Sequence, residues 1–153
     1  MLMEERLAEL GIVLPEAAMP LGRYVPVRLA GEFAFVSGML PLVGGRIEHA
    51  GRVGDEVTPE QAHDLARVCV VNGLAALKKT LKTLDRVKGI VKVEGFVQCS
   101  PTFSAVPGVI NGASDLLVAL FGEAGRHARL AVGVASLPMN APVEVAFIAD
   151  VSD

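Results

Sequence analysis

Residues 129–136 constrain the fold more than any other stretch. Leu130, Val132 and Val134 alternate with Ala131, Gly133 and Ala135, so a strand here is apolar or small on both sides. A sheet built around such a strand has to be covered on both faces. Only two long segments of the chain read as helices. The first opens at Thr58-Pro59-Glu60-Gln61, where Thr58 caps, Pro59 suits the first helical position and Gln61 completes a capping box. Apolar or small residues then recur at 62, 65, 66, 69, 73, 76, 77, 81 and 84, one helical stripe. The second follows the break Ser100-Pro101-Thr102-Phe103-Ser104 and runs to about Phe121, with Gly122 as its stop. Two helices cover one sheet face. The other is expected to pack against another subunit.

The remaining segments supply short elements. Residues 3–10 form a short helix with acids in its first turn and Gly11 to end it, and Pro15 and Pro20 bound an irregular lead-in. Tyr24–Leu29 and Phe33–Ser37 flank Ala30-Gly31-Glu32, a hairpin with Pro26 at an edge or a bulge. Gly44-Gly45 turns between Leu42-Val43 and Arg46-Ile47. Ile90–Cys99 alternates: Val91, Val93, Gly95, Val97 and Cys99 share one face, and Lys92, Glu94 and Gln98 the other. Residues 129–136 and 143–150 are read as a second hairpin around Leu137–Pro142. In that register Ser136 faces Val143 and Arg129 faces Asp150, which puts Arg129 and Glu144 about 20 Å apart along the ladder. The expected architecture is an α+β domain, a mixed sheet with two long helices on one face. Residues 1–20 serve as helix and lead-in, and 21–153 as a single domain.

Composition narrows the function. With 52% hydrophobic residues in 153, the chain can bury a core and is not disordered. No apolar run approaches the roughly 20 residues of a membrane span. The start, Met1 to Arg6, carries acids where a secretion signal wants basic charge, so a cytoplasmic location is expected. A net charge of −3, no Trp and one Tyr argue against a nucleic-acid surface. Cys69 and Cys99 read as buried thiols, and His49, His63 and His127 lack ligand spacing, so no metal site is expected. No phosphate loop, dinucleotide fingerprint or nucleophile elbow occurs. Two charges stand out: Arg129 opens an otherwise uncharged strand, and Glu144 interrupts an apolar one. A charge in a mostly covered strand is paired or faces a cleft, and pattern alone leaves both roles open. His127, beside Arg129, reads as an incidental loop histidine.

Tyr24, Val36-Ser37-Gly38, Ile90-Val91-Lys92-Val93, Val109-Ile110-Asn111-Gly112, Ala128-Arg129, Leu137-Pro138 and Val143-Glu144-Val145 follow in the order and approximate spacing of a known family. Over roughly residues 21 to 151 the chain resembles the reactive-intermediate deaminases (Rid, YjgF-type, also called endoribonuclease L-PSP). The resemblance implies a chorismate-mutase-like α+β fold and a homotrimer with clefts between subunits. It also implies hydrolysis of small imines and enamines derived from amino acids to 2-oxo acids and ammonia, with no cofactor. Arg129 and Glu144 match the family's catalytic positions, and Tyr24, Ser37, Gly38 and Asn111 its substrate-binding ones. Arg129 offers a planar fork for a carboxylate, and Glu144 can polarise a water. This chain departs from the family at Met39, Leu130, Ala131 and Gly133, which makes the expected cleft more apolar. Two other activities of the same fold are weighed: binding a carboxylate metabolite without turnover, and ribonuclease or translation-inhibitor action.

Overall fold

The computed structural model describes residues 2–20 and 22–153; Met1 and Leu21, the first residues of the two expected segments, lie outside them. Helix α1 spans Met3–Glu9, α2 Pro59–Leu81 and α3 Val106–Phe121. The strands are β1 Val27–Ala30, β2 Phe33–Met39, β3 Leu42–Val43, β4 Arg46–Ile47, β5 Gly89–Gln98, β6 Ala128–Val134 and β7 Val143–Asp150. Helix α2 starts as its sequence dictates. The Gln61 N–H donates to the Thr58 hydroxyl at 3.1 Å, and the Thr58 N–H donates to the Gln61 side chain at 3.0 Å. Its apolar stripe, Ala62, Leu65, Ala66, Cys69, Gly73, Ala76, Leu77 and Leu81, is buried throughout. Gly44 and Gly45 both take positive φ, +58° and +76°, the backbone that a two-residue hairpin loop between β3 and β4 requires.

Five strands form one sheet in the order β1-β2-β7-β5-β6, antiparallel except for the parallel β5–β6 pair. Helices α2 and α3 pack on one face. Val143, Val145, Phe147 and Ala149 of β7 are buried there with Val93 and Val97 of β5. The layers approach closely at glycines: a Cβ on Gly95 would lie 2.6 Å from Ile110 of α3. Cys69 and Cys99 are free and buried, and burial raises both thiol pKa values, most strongly at Cys69. Among the described residues no helix is long and apolar enough to cross a membrane.

Two sequence expectations are corrected. First, β6 and β7 do not form a hairpin, because β5 lies between them. Helix α3 links β5 to β6 as a crossover, which makes that pair parallel and leaves β6 at the sheet edge. The segment 137–142 then steps over the end of β5, where the Gln98 N–H donates to the Pro142 carbonyl at 2.8 Å and the Gln98 side-chain amide to Asn140 at 2.9 Å. The eight-residue connection, 135–142, spans two strand spacings, about 10 Å, without difficulty, so its length does not fix adjacency. Second, a register shift between Ile90 and Lys92 turns Val91 out to solvent and puts Ile90 in the core. Val93, Gly95 and Val97 keep the expected face.

No described element covers the second sheet face, which mixes apolar side chains with the charges of Lys92, Glu94, Glu144 and Asp150. Phe33 and Phe35 of β2 and Val132 of β6 are large exposed hydrophobics on it, beside the half-buried Phe96 and Ile148.

Candidate functional site

The true register moves Arg129 and Glu144 closer and separates them in another way. Arg129 is level with Val93 of β5, which is level with Phe147 of β7; Glu144 is level with Phe96, which is level with Val132. The two positions are two strands and three residues apart, about 14 Å rather than 20 Å. Arg129 shares the face of buried Val93 and points to the helix layer. Glu144 lies on the uncovered face. One small molecule cannot touch both side chains within one subunit, because the sheet stands between them.

The six sequence-predicted residues therefore fall into two corners. At the β6 edge the Arg129 guanidinium donates from Nη1 to Asn111 Oδ1 at 2.8 Å and to Ser114 Oγ at 3.2 Å. Asn111 and Ser114 sit one turn apart on α3, so one helix face presents both acceptors. His127 completes the network. Its Nδ1 lies 2.7 Å from the Gly125 carbonyl and its Nε2 lies 2.9 Å from Ser114 Oγ. A carbonyl only accepts, so Nδ1 carries the proton; in the neutral ring Nε2 then accepts from the Ser114 hydroxyl. Among the described residues Arg129 has no carboxylate within ion-pair distance, and both hydrogen bonds use Nη1. Nε and Nη2 make no hydrogen bond among the described residues, and Arg129 is exposed. The sequence reading missed Ser114, whose signal was its three-residue spacing from Asn111, and took His127 as incidental.

The other corner is built on the end of β2. Val36 pairs with Phe147 and Met39 with Val145, so Ser37 and Gly38 share the place of one residue in a bulge. The Ser37 hydroxyl donates to the Val25 carbonyl at 2.7 Å and its N–H to the Pro26 carbonyl at 2.9 Å, which ties down the segment carrying Tyr24. Gly38 makes room for Glu144: a Cβ there would lie 2.8 Å from Glu144 Oε2. Glu144 is half-buried, and desolvation pushes its pKa above the ordinary carboxylate value of 4.5. Tyr24, Ser37 and Gly38 line one end of a groove of about 630 Å³ between the lead-in, α2 and the β3–β4 hairpin.

The family model described as "YjgF/chorismate_mutase-like, putative endoribonuclease" matches residues 4–151. The chain belongs to the YjgF family. Its similarity to Protein TCP17 of Trypanosoma cruzi is 46% identity over 142 residues, covering 91% of this chain and 88% of that protein. Among solved structures it is similar to the protein Atu1372 of Agrobacterium tumefaciens, described as having unknown function. That match has a TM-score of 0.90 and 44% identity over 98% of this chain and 92% of the other. A protein of Shewanella oneidensis described as "a putative endoribonuclease" gives a TM-score of 0.93 at 33% identity, covering 98% of this chain and 99% of the other. The YjgF fold accounts for the sheet order that pattern reading of the sequence missed.

Proposed function

We propose that this YjgF protein hydrolyses small amino-acid-derived imines and enamines to 2-oxo acids and ammonia, at sites assembled between copies of the chain in a homotrimer. Each site would join the Asn111–Arg129 corner of one copy to the Tyr24, Gly38 and Glu144 corner of the next. The observation that carries this reading is the Nε–Nη2 fork of Arg129, a cation without a counter-ion among the described residues, held in place by two neutral acceptors. Such a fork matches a carboxylate. The large apolar side chains exposed on the uncovered sheet face, Phe33, Phe35 and Val132, support assembly, since burying apolar area gains about 25 cal/mol per Å².

In this mechanism Arg129 holds the substrate carboxylate beside the C=N bond. Water adds to the carbon of the protonated imine while Glu144 takes one of its protons, giving a carbinolamine. That proton passes to the nitrogen, the C–N bond breaks with release of ammonia, and the remaining hydroxyl proton goes to Glu144 as the carbonyl forms. The raised pKa of Glu144 suits a group that accepts and returns a proton.

A second reading, binding of a carboxylate metabolite without turnover, is favoured by Met39 at the Glu144 corner and Ala131, two residues along β6 on the face of Arg129. A dehydratase that generates 2-aminoacrylate in situ separates the two. Faster keto-acid release that is lost in Arg129→Ala supports the deaminase. Carboxylate binding without acceleration selects the binder. RNA cleavage that tracks Glu144 through stringent purification would overturn both.

A further inference from the structure

The groove beside Gly38 carries an inference about which substrates the proposed site accepts, and it rests on the deaminase reading above. Three elements wall the groove. Helix α2 contributes Val68 and Val71, one turn apart on a face turned away from the sheet and only partly buried. Met39 and Leu42 line it from the end of β2 and the small hairpin. The lead-in arches over it with Val13 and Met19, which are 89% and 77% exposed. Apolar side chains this exposed, gathered around one concavity, mark a surface that something apolar covers.

The polar groups in the walls are already engaged. The Asn72 side-chain amide donates to the carbonyls of Leu40 and Leu42, both at 3.0 Å, and so fixes the hairpin against α2. The Ser37 hydroxyl donates to Val25. What remains is the Tyr24 hydroxyl beside Gly38 and one pair of opposite charges, Glu16 and Arg67, both exposed. A polar occupant would therefore surrender its water contacts with little in return. The volume, about 630 Å³, falls within the range of ligand pockets and far exceeds a methyl group. Gly38 belongs to the groove wall and also abuts Glu144, since a Cβ there would lie 2.8 Å from the carboxylate oxygen. Tyr24 and Ser37 line the groove beside it.

We propose that this groove is the side-chain subsite of the candidate site, and that it selects 2-imino acids bearing a large apolar side chain, aromatic or branched aliphatic, over those derived from alanine or serine. The lead-in is then a specificity element, because without it the groove has two walls.

The test generates imino acids in situ from leucine, phenylalanine and alanine with an amino-acid oxidase, with catalase present, and follows imine decay by semicarbazide trapping. At about fourfold per buried methylene, kcat/KM for the leucine-derived imine should exceed that for the alanine-derived one by at least tenfold. Val68→Gln and, as a second variant at a different wall, Met39→Gln should each shrink that ratio. Calorimetry on the matching 2-oxo acids gives an independent readout, with the leucine-derived acid expected to bind at least tenfold tighter than pyruvate. Graded binding without turnover keeps the subsite and overturns the deaminase reading. Turnover with no side-chain preference keeps the deaminase and overturns the subsite. Absence of both overturns both. If Val68→Gln changes the oligomeric mass by light scattering and leaves the substrate ratio intact, the groove is an interface and the subsite is refuted.

Discussion

The two corners of the candidate site are built in opposite ways. The Arg129 corner is polar, tight and set on regular elements: a strand edge, one helix face and a histidine, joined by four hydrogen bonds. The Glu144 corner is apolar and open, set on a bulge, two loops and a glycine that leaves space for a carboxylate. The first supplies charge with a fixed direction, and the second supplies volume and a proton acceptor. A substrate carboxylate gains from a preorganised fork that pays no ordering cost when it binds. A side chain of variable shape gains from a groove with few directional demands. In the proposed deaminase, the difference would give orientation to one corner, and chemistry and selectivity to the other.

That division can be broken by experiment. The largest effect is expected at Glu144. Glu144→Gln keeps the shape and removes the base, so kcat should fall by about 10²- to 10⁴-fold with little change in binding of a 2-oxo acid. The parent's activity should climb as pH rises through a pKa held above 4.5, because only the carboxylate accepts a proton. Stability should move the opposite way. The folded chain keeps this proton to higher pH than the unfolded chain, so stability falls as pH rises from 4.5 through the folded pKa. Denaturant titrations at a series of pH values check this fall, and Glu144→Gln should flatten it.

Arg129→Lys keeps the charge and loses the fork. A loss of about 100-fold in kcat/KM, carried mostly by KM, is expected, and circular dichroism should show the fold unchanged. Inactive Arg129→Ala and Glu144→Ala chains, mixed under subunit exchange, should recover part of the activity, since some interfaces regain both groups. No recovery would place the two groups in separate sites.

Gly38→Ala should lower kcat about tenfold, because its Cβ would displace the Glu144 carboxylate from a position 2.8 Å away. Thermal unfolding distinguishes this from a folding defect. The smallest effect is expected at His127. His127→Ala frees Ser114 and loosens the guanidinium, raising KM by about fivefold with kcat nearly intact. His127→Gln, whose amide oxygen can accept from Ser114, should restore most of the loss. Equal effects on kcat and KM would mean that His127 does more than position Arg129.

Much of this molecule is legible in the residues. The capping box at Thr58, the stripe along α2, the Gly44-Gly45 turn and the alternation of β7 are local patterns, and local sterics and hydrogen bonding decide them. The sequence likewise presented Arg129 and Glu144 as charges that a covered strand would not carry without a reason. What it could not determine was adjacency. Whether β6 lies beside β7 or beside β5 depends on where the α3 crossover sets the strand down, and a connection of eight residues permits both. The same holds for faces. A one-residue register shift at Val91, or an extra residue at Ser37-Gly38, reverses which side a residue occupies without altering composition or period. The groove and the Ser114–His127–Arg129 network belong to this second kind. They bring together residues from distant parts of the chain, and their contacts follow from three-dimensional packing, which no periodicity encodes.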